Sequence, residues 1–220
     1  MLPPPPVVPL HDTTAAGPKG ETSLVLMLGI VTQALGGGGF GFAVRVQHQQ
    51  TDRTLIGGEL AIGGAEADEA EFWVIALRGY GKLTPRTHDW SALHYGGGVT
   101  FLTTGMTTLT AHAAGQVSWI NDYWEPYLGI GLALAVPVIA GRPFGDMERG
   151  EGDDDYEPHR LTPESQPQPL RTRLYLTVVP GFGVPIGDTG HLLSLDAGFA
   201  TAILGKNGGY LSLSLADSIR

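Results

Sequence analysis

The chain has no cysteine, which excludes disulfides, thiolate metal sites and a cysteine nucleophile. Charge is scarce as well. Asp, Glu, Lys and Arg make up 16 % of the 220 residues, against about 25 % in a soluble domain. The net charge of −9 and the lack of any long basic stretch argue against nucleic-acid binding driven by phosphate contacts. Apolar runs that could cross a membrane as a helix are missing too. Pro126–Gly141 is uncharged but short and is interrupted by Pro137; Ser23–Val44 is long enough but contains Gly36-Gly37-Gly38-Gly39, a poor helix interior. The rival reading of Leu24–Val31, preceded by Lys19, is a signal-like segment.

What the chain has instead is glycine, 33 of 220 residues against a usual ~7 %, and short runs with a two-residue period. Arg173-Leu174-Tyr175-Leu176-Thr177-Val178 and Tyr210-Leu211-Ser212-Leu213-Ser214-Leu215 are the clearest. Such alternation gives each strand one apolar face and one small or polar face. Ten strands are predicted at about 22–33, 40–50, 54–63, 71–80, 94–103, 108–120, 126–140, 171–184, 191–204 and 209–216, with no clear helix among them. Eight strands result if two of these runs merge with neighbours or fail. The expected fold is all-β: a closed, antiparallel, up-and-down transmembrane β-barrel of about 8–10 strands over residues 21–217. Residues 1–20, with Pro3-Pro4-Pro5-Pro6, read as a flexible proline-rich leader. No secretory signal precedes residue 20, so the barrel reading takes the chain as a mature form headed by Met1.

The side of the wall that meets solvent decides the class. One face collects Leu24, Leu26, Leu28 and Ile30, then Phe40, Phe42, Val44 and Val46, and continues in this way to Leu211, Leu213 and Leu215. The other collects Arg45, Glu59, Arg78, His112, Gln116, Ser118, Arg173, Tyr175, Thr177, Ser194, Asp196, Ser212 and Ser214, among many glycines and alanines. A soluble barrel would show water a face rich in Lys, Glu and Thr, which this face is not. With the apolar face in lipid, small residues fill a narrow lumen. The few ionisable groups then meet there and must pair, because an unpaired buried charge is costly. The expected lumen charge network is Arg45, Glu59, Arg78, His112, Arg173 and Asp196. The aromatics Trp90, Tyr95, Trp119, Tyr123, Trp124, Tyr127 and Tyr210 fall near strand ends, where interface girdles form.

The connection 141–170 is long, acidic and proline-rich. It is the seventh of nine, so with both termini on the inner side it lies outside, where long loops of such barrels belong. Asp153, Asp154 and Asp155 could hold a divalent ion weakly, although they lack EF-hand spacing; a solvated acidic loop is the simpler reading. The seven histidines show no ligand spacing, so no metal site is expected. Gly36–Gly41 and Gly181-Phe182-Gly183 lack the context of a phosphate-binding loop, and no cofactor is expected. A Ser–His–acid set drawn from His112 or His191 with Ser194 and Asp196 is the candidate for a lipid hydrolase. His191 and Ser194 have opposite strand parity, which sets them on different faces.

Over residues 22–216 the pattern resembles small bacterial outer-membrane β-barrels of the eight-to-ten-strand kind. The last strand is similar to that family's C-terminal assembly signal, with Lys206, Gly208, Leu211 and Leu213 at the matching places. It departs at the end, where the family usually closes on an aromatic residue and this chain reads Asp217-Ser218-Ile219-Arg220. The resemblance implies a bacterial outer-membrane location and a bilayer or lipopolysaccharide surround. It also implies a non-enzymatic barrel, either a narrow pore or a plugged structural barrel, with loop 141–170 free to meet a surface partner. A soluble lipocalin-like barrel around an apolar ligand is the alternative, and a lipid-modifying hydrolase the second. Nothing in the sequence sets an oligomeric state.

Overall fold

The computed structural model describes residues 18–33, 38–67, 70–85, 90–103, 105–119, 121, 123–139, 172–186, 191–204 and 209–219. Residues 1–17 of the leader and the whole of loop 141–170, with Asp153, Asp154 and Asp155, lie outside these. Ten strands are present: β1 (Thr22–Gln33), β2 (Gly38–Gln49), β3 (Thr54–Ala67), β4 (Ala70–Leu83), β5 (Ser91–Leu102), β6 (Thr107–Ser118), β7 (Glu125–Ile139), β8 (Arg173–Ile186), β9 (His191–Leu204) and β10 (Gly209–Ile219). Each pairs antiparallel with its chain neighbour, and β1 pairs with β10, so the sheet closes into an up-and-down barrel of ten strands. Connections 34–37, 68–69, 103–106, 140–172 and 205–208 lie at one end, called the loop end here. The other connections, and the start of β1 and finish of β10, lie at the terminal end.

The register gives the stagger. From Val25 the paired residues run through Arg45, Glu59, Arg78, Gly98, Thr110 and Ala135 to Arg173 on β8. In the other direction the same row passes Ser218 and Leu192 and reaches Pro185, also on β8, twelve residues from Arg173. A shear of this size in ten strands sets a tilt of about 40° and a backbone radius of about 10 Å. Strands of 11 to 15 residues at that tilt rise roughly 28–38 Å, enough to cross a hydrocarbon layer of about 25–30 Å.

The apolar face points outward. Leu28, Phe40, Ile62, Leu77, Ile130, Phe199 and Leu213 are among the large apolar side chains on the outer wall, and Leu28 is 61 % exposed. Polar side chains point inward: Arg45, Gln47, Glu59, Lys82, His94, Gln116, Ser194 and Asp196 are all buried. This is a soluble barrel turned inside out, stable only if lipid covers the outer wall. All four tryptophans are exposed. Trp73 lies toward the loop end, edge-on to Phe40 at 6.5 Å between centroids. Trp90, Trp119 and Trp124 lie at the terminal end. Tyr127 departs from the expected girdle: it shares strand parity with Ala133 and Ala135 and is buried in the lumen.

Glycine makes the crowded lumen possible. The ring of Tyr80 lies flat over Gly57, where an added Cβ would sit 2.5 Å from Cζ. On β5, Gly96 and Gly98 leave room for His112 and Arg78 to lie against the backbone. Any larger residue at these three places would drive the polar side chains out of their sites.

Candidate functional site

The centre of the lumen is built around one carboxylate. Arg45, Glu59 and Arg78 are direct neighbours on β2, β3 and β4. Their shared inward parity brings the three head groups together. Arg45 donates from Nε and Nη2 to Glu59 Oε2 at 3.1 and 2.8 Å. Arg78 donates from Nη1 to Oε1 at 2.8 Å. The Arg45 and Glu59 side chains are each 2 % exposed and that of Arg78 is 16 %. Tyr80 extends the cluster: the Arg45 guanidinium stands 4.7 Å over its ring, and its hydroxyl donates to Gln47 Oε1 at 2.7 Å. The Cε1 of His112 would be 2.7 Å from a Cβ at Gly96, which sets the ring beside Arg78.

Two further pairs thicken this layer. His94 is hydrogen-bonded to Gln116, and Tyr127 donates to Asp196 across the strand between them, above Gly181. Val25, Met27 and Ala216 pack together toward the terminal end, and Tyr175 with Ala133, Ala135, Val179 and Ala200 forms a second apolar cluster in the lumen. The described interior therefore holds packed side chains toward both ends, since Tyr175 and Ala135 lie beside Arg173 toward the loop end.

Of the expected members, Arg173 stands apart in height, and Asp196 has another partner. Arg173 shares a row with Arg45, Glu59 and Arg78, but each strand step along a row climbs about 3 Å at this tilt. Four steps carry Arg173 roughly 12 Å above Arg78, to the loop end of the lumen. Asp196 pairs with Gly181, eight residues along β8 from Arg173, roughly 26 Å away. Asp196 bonds to Tyr127 instead. Tyr80, Gln47, His94 and Tyr127 were not anticipated as lumen groups. The signal for them is strand parity: Tyr80 shares it with Arg78, Gln47 with Arg45, Tyr127 with Ala133, and His94 with Gly98, which pairs with Arg78.

The wall separates the Ser–His–acid combination that draws on His191; His112 lies inside, on the same face of the wall as Ser194 and Asp196. His191 faces outward at the terminal end, with Nδ1 3.1 and 3.2 Å from the Asp217 carboxylate oxygens, whereas Ser194 and Asp196 are buried in the lumen. Thr22 and His48, hydrogen-bonded at 3.0 Å, share the outer rim with that pair. Among the described residues no group of three or more His, Asp or Glu side chains could hold a metal ion.

No family model matches the chain, and no curated protein matches it in sequence. Solved structures do match. The translocator domain of the autotransporter NalP from Neisseria meningitidis is 12 % identical, with a TM-score of 0.52 over 90 % of this chain and 87 % of that one. An outer-membrane channel from Pseudomonas putida F1 is 9 % identical, with a TM-score of 0.50 over 94 % of this chain and 97 % of that one. At such identities the likeness concerns the fold: a closed transmembrane β-barrel of the outer-membrane type.

Proposed function

We propose that this transmembrane barrel sits in a bacterial outer membrane as a non-enzymatic structural barrel whose lumen is closed by its own polar side chains. In that orientation the loop end faces outward and presents connection 141–170 to surface partners, with lipopolysaccharide around the outer leaflet. The observation that carries the reading is the Glu59 carboxylate, bridged in the lumen by Arg45 and Arg78 and almost without solvent. Barrels of about eight strands hold only side chains inside, and aqueous channels belong to far wider ones. Ten strands need a plug to be tight, and the layer from Gln47 to Asp196 supplies it. The separation of His191 from Ser194 by the barrel wall counts against a hydrolase built on that pair.

Current across a planar bilayer tests this. The refolded chain should give no steady ohmic current, and Glu59→Ala with Arg78→Ala should produce one. A steady current through the unmodified chain would replace the plugged barrel with a narrow pore.

A further inference from the structure

We propose that the outer wall, at its terminal end, binds one phospholipid with a primary ammonium head group, and that the Asp217 carboxylate holds the ammonium. The outward residues of β10 run Leu211, Leu213, Leu215 and then Asp217. Asp217 pairs across the sheet with Leu193 on β9 and Leu26 on β1. Leu26, Leu193 and Leu215 are all exposed on the wall. The carboxylate therefore stands among leucines, at the point where the apolar belt of β10 gives out.

A carboxylate on a lipid-facing wall is costly unless donors or cations meet it. One partner is in place. His191, the first residue of β9, reaches up from the rim, with Nδ1 3.1 and 3.2 Å from the two Asp217 oxygens. A single ring nitrogen spans both oxygens, whereas a carboxylate accepts about four hydrogen bonds. The Asp217 side chain is still 40 % exposed, and what it is exposed to is the surround of the barrel.

Depth selects the ligand. Trp119, just after β6, and Trp124, just before β7, are exposed at the same end of the barrel, where aromatic side chains mark the passage from hydrocarbon to head groups. The donors a bilayer offers there are water and the head groups themselves. An ethanolamine ammonium brings a positive charge and N–H donors together, and such charge-assisted bonds are the strong ones. A choline head group brings the charge without any N–H. With the ammonium on Asp217, the acyl chains run toward the loop end over Leu26, Leu193, Leu213 and Leu215, so both parts of the lipid meet matching surface. The proposal needs the wall in lipid and is independent of whether the lumen is closed.

The experiment is native mass spectrometry of the refolded full-length chain in detergent micelles, titrated with phosphatidylethanolamine or phosphatidylcholine of the same acyl chains. The first bound lipid should favour phosphatidylethanolamine about tenfold, as one charge-assisted hydrogen bond implies. Asp217→Asn should bring the two lipids level, and Asp52→Asn, at an exposed turn, should keep the preference. On the unmodified chain, stepwise methylation of the ethanolamine nitrogen should weaken the preference and end it at choline. Phosphatidylglycerol should bind no better than phosphatidylcholine. Equal binding of the ethanolamine and choline lipids, or a preference unchanged in Asp217→Asn, overturns the proposal. If Asp217→Asn does not refold, the methylation series decides, and equal binding along it overturns the proposal. A dimer that is indifferent to lipid and vanishes in Asp217→Asn would assign the carboxylate to a second copy and overturn it too. The planar-bilayer current reads groups inside the wall and does not involve Asp217, so the two readings fail separately.

Discussion

Replacing Glu59 by alanine takes away the acceptor of three charge-assisted hydrogen bonds and leaves two guanidiniums facing each other. One of them, Arg45, has a side chain 2 % exposed and no route to water. Hydrogen bonds to charged groups contribute about 1.5–3 kcal/mol each, and they do not add. Removing one partner of a buried ion pair costs about 3–5 kcal/mol, chiefly because the remaining charge is stranded. Arg45 retains its place over the Tyr80 ring, which offsets a part, so about 4 kcal/mol is expected. With a guanidinium chloride m-value of about 4 kcal/mol/M, the unfolding midpoint in lipid vesicles should fall by roughly 1 M. Tryptophan emission and the gel shift between folded and boiled protein would both report it. Asp52→Ala, at an exposed turn, should move the midpoint by no more than ~0.1 M, as surface changes usually do. Adding Arg78→Met to Glu59→Ala should recover at least about 1 kcal/mol, since one stranded charge goes with it. A Glu59→Ala midpoint within about 0.3 M of the parent, or no recovery in the double variant, would refute the claim that this carboxylate organises the lumen.

Other substitutions test the wall and the packing. Leu28→Arg, in the middle of the apolar belt, should cost about 2–4 kcal/mol, while Thr54→Arg at the terminal rim should cost about 0–1 kcal/mol; equal costs would show that the belt is misplaced. Gly57→Val sets two methyls where the Tyr80 ring lies. It should destabilise by about 1–3 kcal/mol, and Tyr80→Ala should relieve most of the loss when combined with it. Tyr127→Phe leaves the buried Asp196 carboxylate without its hydroxyl donor. It should cost about 1–3 kcal/mol, read as the denaturant midpoint, whereas Tyr123→Phe on the outer surface should cost nothing measurable.

Strand number and wall polarity were legible because both follow from a period of two. Alternation such as Leu174, Leu176, Val178 against Arg173, Tyr175, Thr177 fixes which face is apolar whatever the partners. The scarcity of Lys and Glu on the opposite face then turns the barrel toward lipid. The contacts inside were less legible, because they depend on register and shear, which no single strand encodes. Arg45, Glu59 and Arg78 meet because three consecutive strands pair at those residues. Arg173 shares their parity and row, yet the stagger lifts it to the far end. Tyr127 was read by its place near a strand start, where girdle aromatics collect. Its parity, shared with Gly129, Gly131 and Ala133, pointed to the lumen. His94 and Tyr80 carry the same inward parity, but their partners Gln116 and Gln47 appear only once the strands are aligned. Connection 141–170 has no periodicity at all, so its composition is all that the sequence offers.

Native tryptophan tests whether the apolar wall lies in lipid without any substitution, since all four tryptophans are exposed and Trp73 stands on the outer face of β4. The chain should be insoluble without detergent, and after refolding into phospholipid vesicles its tryptophan emission should be strongly quenched when the acyl chains carry bromine. A freely soluble monomer, with emission indifferent to brominated lipid, would contradict it.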